Sequence, residues 1–405
     1  MNGKENPYLP FDPDRGYINI YNENNSMWYW HFKVRENPDS APLMIFLNGG
    51  PGCPSTNSVF TPGGIFNFTN WPEGGMKAAL RNITITQKVN ILYPDFPLGV
   101  GFSTVTGDRV SMSGEQAQEQ ILIFFQNFLE KYPEYKGRPL IIMGVSFGGH
   151  WAPYAATALK YSGNPDINVQ GLYISSGMMD SSAQINSLLE YGLKNSKYTK
   201  FDQKTVQEFT NPIDLCQHSF RIGKNPMHIR NAFHLCWKDV FHGLVDYSTK
   251  LNKEFSPYYL PGYSKLSGDS SYMDFLNNRK AQEYLRVRKH DFESVNNTFL
   301  NMFLPRDYHV DMKHFVARLL NDGVKTLIVA GNMDLITNYV MSERVTSAVK
   351  WRHQKEFNKV ERAPCKHGLC KEFQNLREIR VFGAGHGYSL YKPEYAMEIV
   401  SAYFG

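Results

Sequence analysis

The stretch Gly144-Val145-Ser146-Phe147-Gly148 constrains this chain more than any other. It follows a short apolar run, Leu140–Met143, and leads into a helix-forming segment, Phe147–Tyr161. A serine at so sharp a strand-to-helix turn sits in strained backbone geometry, and glycines two residues to either side remove side chains that would clash. Its hydroxyl then projects past the strand end, beside a helix N-terminus that favours developing negative charge. Alone, the pentapeptide also fits a plain glycine-rich turn. The strand before it and the helix after it favour a nucleophile elbow.

The rest of the chain supplies the setting such an elbow needs. Met27–Val34, Pro42–Leu47, Val89–Tyr93, Val169–Ile174, Lys325–Ala330 and Glu378–Phe382 read as strands. Ser113–Tyr132 reads as an amphipathic helix with Ser113 as cap, Gln116 as capping-box partner, and Ala117, Ile121, Phe124, Phe125 and Phe128 along one face. Glu394–Phe404 reads as a final helix. Strands alternating with helices predict an α/β fold with a mostly parallel central sheet covered by helices on both faces. Ser181–Pro305 is polar and mixed and breaks the alternation. The expected organisation is therefore a core in two parts, 1–180 and 306–405, with 181–305 inserted as a cap over one end of the sheet.

A nucleophilic serine needs a base, and the base needs an orienting acid. Asp334 follows the strand Lys325–Ala330 through Gly331-Asn332-Met333, and His386 follows Glu378–Phe382 through Gly383-Ala384-Gly385. Both thus fall past the C-terminal ends of strands, the edge where Ser146 lies and where open α/β sheets bind ligands. Asp95 in Tyr-Pro-Asp-Phe-Pro reads as a structural turn residue, and Asp322 precedes a strand. Backbone donors for an oxyanion are supplied by Asn48-Gly49-Gly50-Pro51-Gly52, where the amide of Gly50 would join that of Phe147.

Composition narrows the classes further. With 42% apolar, 14% aromatic and 20% charged residues over 405, the chain is neither disordered nor collagenous. Its charge of +5 is spread without a Lys/Arg block, so no nucleic-acid partner is expected. The longest apolar runs are too short for a transmembrane segment. Met1–Pro10 is polar and lacks the apolar core of a leader, so the chain reads as cytosolic or as a mature form. Sequons at Asn24, Asn67, Asn82 and Asn296 favour the latter as glycosylation candidates. Of five cysteines, Cys216/Cys236 and Cys365/Cys370 are candidate local disulfides. His367 between the last two raises zinc, but no second ligand pair sits nearby, and no metal or cofactor is expected.

These segments resemble the serine carboxypeptidase family. Leu47–Cys53 resembles its oxyanion loop, Gly144–His150 its nucleophile segment, Gly331–Asn338 its aspartate segment and Gly383–His386 its histidine segment. Pro97–Ser103 and Gly16-Tyr17-Ile18 also match, in family order across nearly the whole chain. The resemblance implies an α/β-hydrolase fold with a helical insertion, no metal, a peptide substrate, and a secreted, lysosomal or vacuolar setting. Monomer and homodimer both fit it. It also implies that Asn48 and Gly49, with the residue at 145, hold the substrate's terminal carboxylate. There the chain departs from the pattern. The family places a Glu directly before the nucleophile and a second after the oxyanion loop, sharing a proton in a way that suits acid pH. This chain has Val145 at the first place and no carboxylate near Thr61-Pro62 at the second. The family partner of Cys53 falls on Val295, which would leave Cys53 as the odd thiol, and Gly387 follows His386 where a larger apolar residue is usual.

The expected activity is that of a serine-type carboxypeptidase acting through an acyl-enzyme on Ser146. The alternative is an esterase or acyltransferase on the same machinery, motivated by the two missing acids. A catalytically silent binding or storage protein would not need all three triad residues.

Overall fold

Twelve strands alternate with helices along the residues that the computed structural model describes, 8–70, 76–222, 225–262, 271–288 and 291–404. Most of Met1–Pro10 lies outside them. In chain order the strands are β1 (Asp14–Asn22), β2 (Asn25–Phe32), β3 (Leu43–Leu47), β4 (Phe66–Asn70), β5 (Met76–Leu80), β6 (Asn90–Pro94), β7 (Pro139–Val145), β8 (Asn168–Ser175), β9 (Lys325–Gly331), β10 (Ala363–Cys365), β11 (Gly368–Phe373) and β12 (Leu376–Val381). Ten form one sheet in the order β1-β2-β6-β3-β7-β8-β9-β12-β11-β10, and β4 pairs with β5 separately. From β6 to β12 every pairing is parallel, and the outer strands at both edges are antiparallel.

The expected strands are present, with ends shifted by a few residues. β1, the β4–β5 pair and the β10–β11 hairpin were not anticipated. In β1 exposed and half-buried polar residues interrupt the apolar ones, so it carries no apolar run. The central strands are buried on both faces and read as continuous apolar segments.

Alternation splits those segments between two cores. Leu43, Ile45 and Leu47 of β3 face one layer and Met44 and Phe46 the other. The first layer is built by the helices Gly114–Lys131 and Gly148–Lys160. Phe124, Phe125 and Phe128 are buried there as the periodicity predicts, each contributing about 1.5–3 kcal/mol by burial. Ser113 Oγ accepts from the Gln116 amide at 3.4 Å, but the Gln116 side chain takes the amide of Met112 rather than closing on Ser113. The opposite face is covered by the C-terminal helix Pro393–Phe404 through Ala396, Ile399, Val400 and Tyr403.

Between β8 and β9 most of the described residues are helical, from Ser181–Lys194 to Lys313–Asn321. Cys216 and Cys236 are joined as a disulfide between the helix Gln203–Ser219 and the π-helical turn His234–His242. Cys365 and Cys370 are joined across the β10–β11 hairpin, so both thiols beside His367 are consumed. No helix among the described residues is long and apolar enough to cross a membrane.

Candidate active site

Four chain segments leave the C-terminal edge of the parallel strands and converge. After β7, Ser146 adopts φ 61°, the left-handed conformation of a nucleophile elbow. The crossing behind it is so close that a Cβ on Gly144 would stand 2.0 Å from the carbonyl oxygen of Gly148. The elbow is clamped on both sides. The Ser146 amide donates to the carbonyls of Ser175 (3.3 Å) and Ser176 (3.1 Å), and its carbonyl accepts from Gly149 (2.8 Å) and Met178 (2.9 Å).

The loops after β9 and β12 are knit together before they present their side chains. Asn332 N–H donates to Val381 O and Met333 N–H to Ala384 O, while Asn332 Oδ1 accepts from Gly383 N–H at 2.7 Å. Asp334, fully buried, then places Oδ2 2.9 Å from Nδ1 of His386. A carboxylate only accepts, so Nδ1 carries a proton and, in the neutral ring, Nε2 is the unprotonated nitrogen. Thr337 completes the arrangement. Its amide donates to Asp334 Oδ1 (3.1 Å), and its hydroxyl lies 2.7 Å from Asp334 Oδ2 and 2.9 Å from His386 Nδ1. The segment between β8 and β9 reaches this histidine directly, since His386 N–H donates to Tyr258 O at 2.7 Å and the two rings stand 5.5 Å apart.

Ser146 and His386 line one cavity of about 730 Å³, shared with Gly49, Gly50 and Cys53 of the loop after β3. Among the described residues no hydrogen bond joins the Ser146 hydroxyl to the imidazole; such catalytic bonds commonly tighten only with substrate in place. The amides of Gly50 and Phe147 donate to no group among the described residues and are available to an oxyanion. A Cβ on Gly49 would stand 2.5 Å from that of Ser146, which shows how closely the glycine loop is pressed against the elbow.

The residues expected to hold a carboxylate are placed differently. Gly49 N–H donates to Asn48 Oδ1 at 2.8 Å, and Asn48 Nδ2 donates to Pro54 O at 3.0 Å, so one amide hydrogen of Asn48 remains. Val145 lines the cavity, as do Thr61 and Pro62, and no Asp, Glu, Lys or Arg is among the described lining residues. Cys53 is a free thiol, with Val295 on the same cavity, and burial pushes its pKa up to about 12. Of the sequon asparagines, Asn24 and Asn82 are exposed and Asn67 is half-buried. Asn296 spends Nδ2 on Gly99 O and Oδ1 on Phe299 N–H as a helix cap.

Sequence reasoning missed Thr337 and Ser176. Thr337 stands three residues after Asp334, the spacing of a side-chain-to-backbone turn, which was a usable signal. Ser176, at φ 45°, accepts from Gly387 N–H at 3.1 Å and so ties the histidine loop to the elbow. Nothing local marks it.

The family model for serine carboxypeptidase matches residues 3–405. Carboxypeptidase S1 of Penicillium janthinellum is 26% identical over 406 residues, covering 95% of this chain and 92% of that protein. Serine carboxypeptidase S10 family member 1 of Dictyostelium discoideum is 27% identical, covering 96% and 93%. Among solved structures, a prohormone-processing carboxypeptidase from Saccharomyces cerevisiae superposes with a TM-score of 0.80 at 20% identity, covering 97% of this chain and 91% of that one. That likeness shows a shared fold.

Proposed function

This chain belongs to the serine carboxypeptidase family and is a serine-type hydrolase, and from that premise we propose that it releases C-terminal residues from peptides through an acyl-enzyme on Ser146. Ser146 Oγ attacks the scissile carbonyl carbon while His386 Nε2 takes its proton, and Asp334 stabilises the imidazolium. The oxyanion meets the amides of Gly50 and Phe147. His386 protonates the departing amine, then deprotonates the water that resolves the acyl-enzyme. Asn48 offers its remaining amide hydrogen to the terminal carboxylate, beside Gly49 and Val145. Residues 181–305 act as the cap that encloses the substrate.

The observation that supports this reading best is the buried Asp334–His386 pair, 2.9 Å apart, with His386 lining the same cavity as the strained Ser146. The two disulfides support an oxidising setting, secreted, lysosomal or vacuolar. The test is release of the C-terminal amino acid from a blocked dipeptide between mildly acidic and neutral pH. No release above a Ser146→Ala control overturns the proposal.

A second reading, an esterase or acyltransferase, draws on Val145 and the uncharged cavity lining. Turnover of simple esters with none of peptides bearing free C-termini would establish it instead.

A further inference from the structure

The cavity at Ser146 continues past the elbow onto one face of the sheet. Its floor there is a single row across four adjacent strands. Met143 of β7 is in register with Phe46 of β3 on one side and Tyr173 of β8 on the other, and Phe46 packs on Tyr93 of β6 with ring centroids 5.0 Å apart. All four line the cavity. Val145 is the next residue on the same face of β7, so this row lies behind the position directly before the nucleophile. Ile85, Leu390 and Ala396 line the same cavity, Ala396 on the C-terminal helix that covers this face of the sheet.

This branch is lined mainly by apolar side chains, and among the floor's two hydroxyls that of Tyr93 bonds no other group among the described residues. The Tyr173 hydroxyl bonds that of Tyr388, and the Thr84 hydroxyl bonds that of Thr86. No Asp, Glu, Lys or Arg is among the described lining residues to pair with an ionised group here. An unpaired carboxylate would lose its hydration without compensation, whereas an apolar group gains by leaving water.

We propose that this branch is a subsite for an uncharged apolar group on the leaving side of the scissile bond, an alkyl chain or ring carried beyond Val145. The leaving side is assigned because Asn48, Gly49 and Val145 border it in the reading given above. The proposal rests on that reading, with Ser146 as nucleophile. It implies that esters of apolar alcohols are substrates. The Ser146 Oγ–acyl bond forms, the acyl–alkoxy bond breaks, His386 gives the alcohol its proton, and water regenerates the serine.

The test uses esters of one blocked amino acid with linear alcohols from ethanol to octanol, and with ω-hydroxy acids of matching length. In the wild-type protein kcat/KM is expected to rise about fourfold per methylene up to hexyl, from the transfer of each CH₂ out of water. The ω-carboxylate esters of six carbons or more, whose carboxylate would have to enter the branch, are expected to be at least tenfold poorer than the alkyl esters of the same length. Ala396→Leu and Ile85→Phe each put a larger side chain into the cavity lining and should flatten the chain-length slope. Ile85 is only half-buried, so that variant stands in if the first does not fold.

A flat slope in the wild type overturns the proposal. So does a slope that survives in both folded variants, or turnover of the ω-carboxylate esters of six carbons or more equal to that of the matching alkyl esters. Ser146 that fails to react with a fluorophosphonate, with no ester cleaved, would instead defeat the underlying reading.

Discussion

Gly49 lies against Ser146 so closely that the Cβ atoms of an alanine at 49 and of the serine would be 2.5 Å apart. The other nearest neighbours are backbone, the Phe147 nitrogen at 2.7 Å and the Val145 carbonyl oxygen at 2.8 Å. None of these can swing aside as the tip of a flexible side chain would. The contact therefore sets the distance between the glycine loop and the elbow, and with it the separation of the Gly50 and Phe147 amides.

Gly49→Ala should consequently push the two segments apart while leaving the sheet intact. Misplacement of catalytic groups by about 1 Å costs on the order of 100-fold in rate. Steady-state hydrolysis of a blocked dipeptide is expected to show a loss of kcat of that size, with an unchanged far-ultraviolet circular dichroism spectrum. Retention of more than half the wild-type kcat would mean that the loop relaxes without consequence.

Thr337 offers a separable test of the acid–base pair. Its hydroxyl contacts both Asp334 Oδ2 and His386 Nδ1, so it fixes the carboxylate rotamer and the ring plane together. Thr337→Val keeps the shape and removes these bonds, and a drop in kcat of about tenfold is expected with KM nearly constant, about the effect of losing one net hydrogen bond. Asp334→Asn should cost far more, about 10⁴-fold, because an amide can donate to Nδ1 and favours the wrong tautomer. If both variants lose activity equally, Thr337 does more than orient the pair.

How much of this was legible in the sequence depends on how local each signal is. The elbow, Asp334 and His386 could be read because each follows a continuous apolar strand through a short glycine-containing loop. Both disulfides join cysteines 20 or 5 residues apart, within reach of a local reading. Ser176 could not be found, since its role arises from a contact with Gly387, 211 residues away. The helices of the insertion were obscured for a similar reason. In Gln203–Ser219 the apolar stripe is only Phe209, Ile213 and Cys216, packed against other parts of the chain, while the remaining surface is polar. The committed state of Gly49 N–H likewise depends on a rotamer of Asn48 that no pattern encodes.

Asp95 was read as a turn residue, and its environment makes it a sensor of pH for stability. It is fully buried, accepting from Thr56 N–H at 2.9 Å and Phe102 N–H at 3.0 Å, and so joins the helix after the glycine loop to the segment 95–103. Burial raises its pKa to about 7 against the lowering effect of those two amides. A carboxyl whose pKa is raised on folding binds its proton more tightly in the native state than in the unfolded chain. Its contribution to stability is therefore complete below the ordinary carboxyl range and is lost as pH rises from about 4 through 7. Thermal unfolding at intervals between pH 4 and 8 should show this decline in the wild-type protein. Asp95→Asn should be less stable at pH 4, by about 1–3 kcal/mol, because its amide nitrogen faces a backbone N–H. Its stability should also change less between pH 4 and 7, since the titrating group is gone. Parallel curves for the two proteins over that range would show that Asp95 is ionised throughout, held so by the amides of Thr56 and Phe102.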